Sequence, residues 1–250
     1  SGRQREDRVN ADAVRWEPIL REGIARARQS GQLDVVAEAL IAQGRALWRL
    51  KDAAGAEQAL RESIALNRQL GQREQIFDPM LALGVLLFAQ YRLDEVLLLN
   101  REMLTLAQGN PRREANALTN IGIVERRIGN LDAAQQAFER ALSLRRTLRD
   151  DRPELLPTSI QQLANVHADR GEHLRALELM QEAMQLRLQL GGAAAAQAEF
   201  ALARLYRDAG NPARAVQHWR LGLAGLDATA EPRERANAHC EYAATLHAAG

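Results

Sequence analysis

Apolar residues recur along this chain at spacings of three and four, and they fall into paired runs. The clearest pair is Ala115 to Leu144, ANALTNIGIVERRIGNLDAAQQAFERALSL. Leu118, Ile121 and Gly122 share one face of a first amphipathic helix. Ala134, Phe138 and Ala141 share one face of a second, and the two hinge at Gly129-Asn130. Small residues let two helix axes approach while the large ones interlock, so the pattern predicts an antiparallel helix pair. No stretch alternates with period two, which predicts an all-α fold.

The same order of large and small positions recurs in both directions. Leu40, Gly44 and Leu47 precede Ala56, Leu60 and Ser63; Met80, Leu83, Gly84 and Leu87 precede Leu93, Val96 and Met103. Further on, Ile160, Leu163, Ala164 and His167 precede Ala176, Met180 and Ala183, and Leu202, Ala203 and Tyr206 precede Ala215, Trp219 and Gly222. The pairs start at Ala37, Phe77, Ala115, Pro157 and Ala196, with a sixth start at Ala236, at intervals of 40, 38, 42, 39 and 40 residues by subtraction. The expected organisation is five repeats (37–76, 77–114, 115–156, 157–195 and 196–235) flanked by half-units at 12–36 and 236–250. In the first half-unit Trp16, Leu20, Gly23 and Ala27 form the stripe of a second helix without its first. Residues 1–11 are polar and read as a disordered tail, with Ser1-Gly2-Arg3 a remnant of a cut end. Asn110-Pro111, Asp151-Arg152-Pro153 and Asn211-Pro212 mark helix starts, as does Asp78-Pro79, which would delay its helix. Gly129, Gly171 and Gly210 mark the turns between paired helices.

These residues resemble the tetratricopeptide (TPR) motif W-x2-L-G-x2-Y…A-x3-F, with Leu118, Ile121, Gly122, Ala134 and Phe138 at five of its marks. Glu125 stands where the motif has tyrosine and Asn100 where it has phenylalanine. The period exceeds the usual length of about 34. The turn segments LNRQLGQ, LRRTLRDD and LRLQLGG look like those of long-period modules in bacterial signalling regulators, such as the sensor arm of the maltose-regulon activator, and in animal spindle-orientation scaffolds. The resemblance implies a right-handed superhelical solenoid of antiparallel helix pairs. It also implies a protein- or peptide-binding scaffold or regulatory module within a larger signalling protein.

Carried over residue by residue, the family's inner, concave positions are Trp48, Leu81, Val85, Phe88, Asn116, Thr119, Ile123, Arg126, Gln161, Asn165, Phe200, Arg204 and Arg207. Apolar anchors beside amides and arginines suit a peptide carrying carboxylates, so the expected partner is an acidic protein segment. Two rival readings follow from the same resemblance. One is a small-molecule sensor arm with a closed pocket lined by Trp48, Phe88 or Phe200, and the other an accessory domain of an enzyme catalysing elsewhere. The last helix, roughly Pro232 to Ala249, carries His239, Tyr242, Ala243 and Leu246 on one stripe. Tyr242 and Leu246 are therefore the expected self-association residues of a homo-oligomer.

Composition narrows these readings. Aromatic residues make up only 4% of 250 residues, so alanine and leucine must fill the core. A net charge of +1 removes a general attraction to nucleic acid or to a membrane surface. The single cysteine, Cys240, leaves no internal disulfide and fits a reducing, cytoplasmic setting. No apolar run reaches the roughly 20 residues of a membrane span. His239, Cys240 and His247 lack the spacing and number of metal ligands, so no metal and no cofactor are expected. His167 and His173 fall at packing positions. No nucleophile elbow, phosphate-cradling loop or paired-histidine metal motif is present, which predicts a protein that is not an enzyme.

Overall fold

The computed structural model describes the backbone of residues 2–148, 152–208, 210–226 and 232–249. Side chains are described within those ranges except at 2–11, 173, 177, 192–194, 205, 208, 232–234 and 248–249. Among the described residues there are twelve helices and no strand. The chain divides into two compact units, residues 1–128 and 129–250, with the division at the Gly129-Asn130 hinge inside the repeat expected at 115–156.

Unit 1 contains α1 (Gly2–Gln29), α2 (Leu33–Arg49), α3 (Ala53–Gln69), α4 (Phe77–Ala89), α5 (Leu93–Leu106) and α6 (Pro111–Ile128). Each helix packs on the next, and α2 also reaches α4. Unit 2 contains α7 (Leu131–Thr147), α8 (Leu155–Asp169), α9 (His173–Leu190), α10 (Gly192–Asp208), α11 (Pro212–Gly225) and α12 (Pro232–Ala249), again packed in succession. Within the units, α2 pairs with α3, α4 with α5, α8 with α9 and α10 with α11, the even-numbered helix first in each pair.

Close approach at small residues holds the pairs together. A Cβ placed on Gly44 would lie 2.8 Å from Leu60 Cγ and 3.2 Å from the Ala56 carbonyl oxygen. A Cβ on Gly222 would lie 2.4 Å from Phe200 Cε1 and 3.1 Å from the Ala196 carbonyl oxygen. Gly84 is looser, with Leu99 Cδ2 at 3.7 Å. The principal core of unit 1 gathers Leu60, Met80, Leu86, Leu87 and Val96, and a core of unit 2 gathers Phe200, Ala203, Trp219 and Ala238. In the core of unit 1, Ser63 Oγ donates to the Ala37 carbonyl, and Asn67 and Asn100 donate to the Ser63 and Val96 carbonyls, whereas in unit 2 Trp219 Nε1 is buried without a partner. Asn100 thus fills its core position by bonding to its own helix.

The structure departs from the expectations at three helix starts and in the buried stripe of α1. The helix of the first half-unit starts at Gly2, inside the stretch expected as a tail, because its arginine, glutamine and glutamate residues are good helix formers and no breaker precedes Pro18. Its buried stripe is Ala13, Glu17, Ile24 and Ala27; Trp16 and Gly23 lie outside it. Helix α4 starts at Phe77 rather than late, because Pro79 falls in the first turn, where its missing N–H has no partner to lose. Helix α8 starts at Leu155, after the expected Arg152-Pro153; Asp151 lies outside the described residues. Asn110 and Asn211 cap as expected, accepting from the Arg113 and Arg214 amides. The turns at Gly129, Gly171 and Gly210 have positive φ, and in unit 1 Lys51 and Tyr91 adopt the same left-handed conformation without being glycine.

Gly44→Ala and Gly84→Ala should part company in urea unfolding. Alanine is worth roughly 1 kcal/mol over glycine inside a helix, and Gly84 has the room to show it. At Gly44 overpacking of roughly 1–3 kcal/mol opposes that gain, so the Gly44 variant should unfold at lower urea than the parent and the Gly84 variant at higher. The reverse order would show that the Gly44 contact is not tight.

Candidate interaction surface

Helix α4 reads FDPMLALGVLLFA, and Asp78 is its one charged residue. One face is buried through Phe77, Met80, Leu83, Leu86 and Leu87. A helix apolar on every side is normally enclosed, yet here Leu81 is 41% exposed and Val85 66% exposed. Trp48 of α2 is exposed too, while Ile41 and Phe88 are partly buried and rest on the unit 1 core. On α6, Asn116 is exposed and Thr119, Ile123 and Arg126 are half-buried. Thr119 Oγ1 donates to the Ala115 carbonyl at 2.7 Å. In unit 1 the apolar positions taken from the family's inner surface are thus partly open, with Val85 the most open of them.

The second helices of unit 1 carry a different chemistry. Arg28 pairs with Glu62, Arg61 with Glu95 at 3.0 Å, and Arg68 with Glu102 at 2.5 Å, each from one second helix to the next. Around the middle rung, Arg92 contacts Glu57 and Glu95 at 2.6 Å each, and Arg61 contacts Glu57 at 2.8 Å. The Arg92 guanidinium, then Arg61, holds the Glu57 and Glu95 carboxyls below their ordinary value. The two carboxylates in turn raise the Arg92 guanidinium. Glu125, which replaces the motif's tyrosine, is buried in α6 and accepts from Arg101 at 3.1 Å. At the left-handed turn, Tyr91 lies beneath Arg127, 5.3 Å from ring centroid to guanidinium, and its hydroxyl accepts from Arg127 at 2.9 Å.

In unit 2 the expected surface residues divide. Gln161 and Asn165 are half-buried, and Gln161 accepts from Arg187 Nη2. Phe200 is a correction, being only 5% exposed with its ring 5.2 Å from Trp219. Gly222 leaves a hole on the facing helix, and the ring turns into it. Arg204 is held by Glu241 through two bonds of 2.9 and 2.8 Å, with Arg207 at 3.5 Å. That pairing lowers the Glu241 carboxyl and raises Arg204, so both arginines already face a carboxylate of this chain. Arg187, which the register did not single out, is part-buried, and its burial pushes its guanidinium below the ordinary arginine value.

Two histidines of unit 2 pair with glutamates. His167 Nδ1 lies 2.6 Å from Glu172 and depresses that carboxyl. His218 Nδ1 lies 2.7 Å from Glu199, with its ring stacked on Tyr206 at 5.1 Å. The side chain of His173 lies outside the described residues. A cavity of about 520 Å3 is lined by residues 129–133 and Arg170; Trp48, Phe88 and Phe200 do not line it. Among the described residues, no three His, Cys, Asp or Glu side chains gather as a metal site, and no helix is long and apolar enough to cross a membrane. On α12, His239, Ala243 and Leu246 are exposed, whereas Tyr242 is half-buried and its hydroxyl accepts from Arg220 at 2.9 Å.

Family models described as tetratricopeptide repeat match residues 37–70, 115–153 and 158–192. No curated protein matches the sequence. Among solved structures, BtubC (BKLC) from P. vanneervenii is similar at a TM-score of 0.65 and 18% identity, over 72% of this chain and 74% of that one. The apo form of RapI is similar at 0.54 and 11%, over 84% and 97%. The nearly identical TPR-like repeats of a presumptive kinesin light chain from Podosopora anserina are similar at 0.54 and 15%, over 74% and 96%. At these identities the likeness is one of fold.

The charge cluster makes a prediction with a definite sign. Glu57 and Glu95 titrate below their ordinary value of 4.5 when folded. Their contribution is therefore fully present above pH 4.5 and is lost as pH falls through the lowered folded values. Urea midpoints measured from neutral pH downward should fall in that acid range, and the double variant Glu57→Gln, Glu95→Gln should show a shallower fall. An unchanged slope would mean the pair contributes nothing.

Proposed function

We propose that this tetratricopeptide-repeat domain is a protein-binding module whose unit 1 seats an apolar-anchored segment of a partner on the inner faces of α2, α4 and α6. The observation that carries the reading is α4: its exposed Leu81 and Val85 continue an otherwise apolar helix. An apolar face of this kind on a soluble protein is most often a contact site. Trp48 supplies an aromatic edge of the sort that dominates binding energy at protein interfaces. The expectation of an acidic partner finds less support. Arg204 and Arg207 are already engaged by Glu241, which leaves apolar anchoring as the main source of affinity.

Random peptides displayed on phage test this directly. Selection on the domain should enrich sequences carrying two or more large apolar residues. The enriched peptides should lose at least tenfold in affinity for the Leu81→Glu, Val85→Glu variant, as burial of two aliphatic side chains implies. Arg61→Glu, on a second helix, should leave binding unchanged. Absence of enrichment, or equal loss with both variants, would defeat the proposal.

A further inference from the structure

Among the described residues, seven glycines and two other residues have positive φ; the two are Lys51 at 64° and Tyr91 at 59°. They stand 40 residues apart by subtraction, in the turns that join α2 to α3 and α4 to α5. Gly129, Gly171 and Gly210 occupy the turns after α6, α8 and α10. Glycine would relieve the left-handed strain, so these two turns keep a side chain at a cost to folding. Lys51, the only lysine of the chain, is exposed and makes no ion pair among the described residues. Tyr91 is 70% exposed and holds Arg127 over its ring, and Arg127 meets no carboxylate among the described residues. Nearby, Asp52 is committed to capping α3 through the Gly55 amide at 2.9 Å, and Glu57 and Glu95 to Arg92. Arg49 already supplies a cation to the last turn of α2, so the helix dipole does not call for Lys51.

The starts of the same two helices carry the opposite charge. The shift of 40 that takes Lys51 to Tyr91 also takes Glu38 onto Asp78, Ile41 onto Leu81 and Trp48 onto Phe88. Glu38 and Asp78 are both exposed and make no ion pair among the described residues. Glu38 lies beyond the first turn of α2, which starts at Leu33, where the helix dipole no longer accounts for it. Helices α2 and α4 touch. Together they present a strip that is acidic at the helix starts, apolar through Leu81, Val85 and Trp48, and cationic at the turns. Arg45, also exposed, adds a further cation on the way to the turn of α2.

We propose that this strip holds an extended partner segment with a basic end, an apolar middle and an acidic end. The acidic end meets Lys51 and Arg127, and the basic end meets Glu38 and Asp78. The thirteen steps from Glu38 to Lys51 cover about 20 Å of helix, which an extended chain spans with about six residues. The inference rests on the apolar site of α4 and adds to it the direction in which the partner lies. Apolar contact supplies the affinity, while the two charged ends reject a segment laid down in reverse or charged with one sign throughout.

Peptides selected on the chain from random phage libraries read this out. Their apolar pair should be bracketed by Lys or Arg on one side and by Asp or Glu on the other, in one constant order. A selected peptide, made with blocked ends, should lose about tenfold in affinity for the Lys51→Glu, Arg127→Glu variant. Exchanging its acidic residue for arginine should restore binding to that variant and weaken binding to the parent. Lys51→Gly should unfold at higher urea than the parent while losing the preference for an acidic end, which separates recognition from stability. Should the double variant lose its helical circular dichroism, Lys51→Gly decides alone. Peptides that depend on Leu81 and Val85 but show no charge order would overturn this inference and leave the apolar site standing. A failure to select any peptide would overturn both. A Lys51→Gly variant that unfolds at lower urea would show that the lysine serves the fold, and would overturn the inference as well.

Discussion

The backbone-to-side-chain approach at Gly44 and Gly222 sets the distance between paired helices, and most other features follow from that distance. Leu60 lies against Gly44 and Phe200 against Gly222, closer than any side chain on those glycines would permit. Axes brought this near bury the apolar face of each helix with mainly aliphatic side chains, alanine and leucine foremost. That is how a chain with so few aromatic residues builds a core. The same closeness leaves the far side of each first helix uncovered, since its partner occupies only one flank. The exposed residues of α4 are thus a by-product of tight pairing, made consequential by their being Leu81 and Val85 rather than charges.

The periodicity made the architecture legible, because large and small positions alternate at helical spacing and the order recurs. Helix pairs α2–α3, α4–α5, α8–α9 and α10–α11 follow one another along the chain and pack. Register on single helices was harder to read. On α1 the sequence offers two overlapping stripes, one through Trp16 and Gly23 and one through Ala13 and Ile24, and only contact with α2 decides which is buried. Phe200 sits at a position that the family's pattern turns toward the groove. It turns inward because Gly222, twenty-two residues later by subtraction, is small. Such a preference belongs to a pair of residues, and a position-by-position reading cannot contain it.

The charged residues were legible as solvated helix faces, but their partners were not. Arg204 has carboxylates available near it in sequence, yet it is Glu241 on another helix that binds it. The 34-residue step of the rungs Arg28–Glu62, Arg61–Glu95 and Arg68–Glu102 is shorter than the repeat interval, because each arginine meets a glutamate that precedes its own equivalent on the next second helix. Exposed pairs of this kind contribute little individually, because solvent screens them. Their value lies in fixing how one repeat meets the next.

Those rungs also give unit 1 two flanks that answer differently to the surrounding solution. The spacing of α1, α3 and α5 rests in part on exposed ion pairs, which dissolved salt weakens, with a screening length of about 10 Å at 0.1 M. The spacing of α2 and α4 rests on apolar contact, which salt does not weaken. Raising ionic strength therefore weakens the cross-links of one flank and leaves the apolar contacts of the other in place. Trp48 and Val85 stand on the flank that salt leaves alone, so the packing beneath them does not depend on the ion pairs opposite.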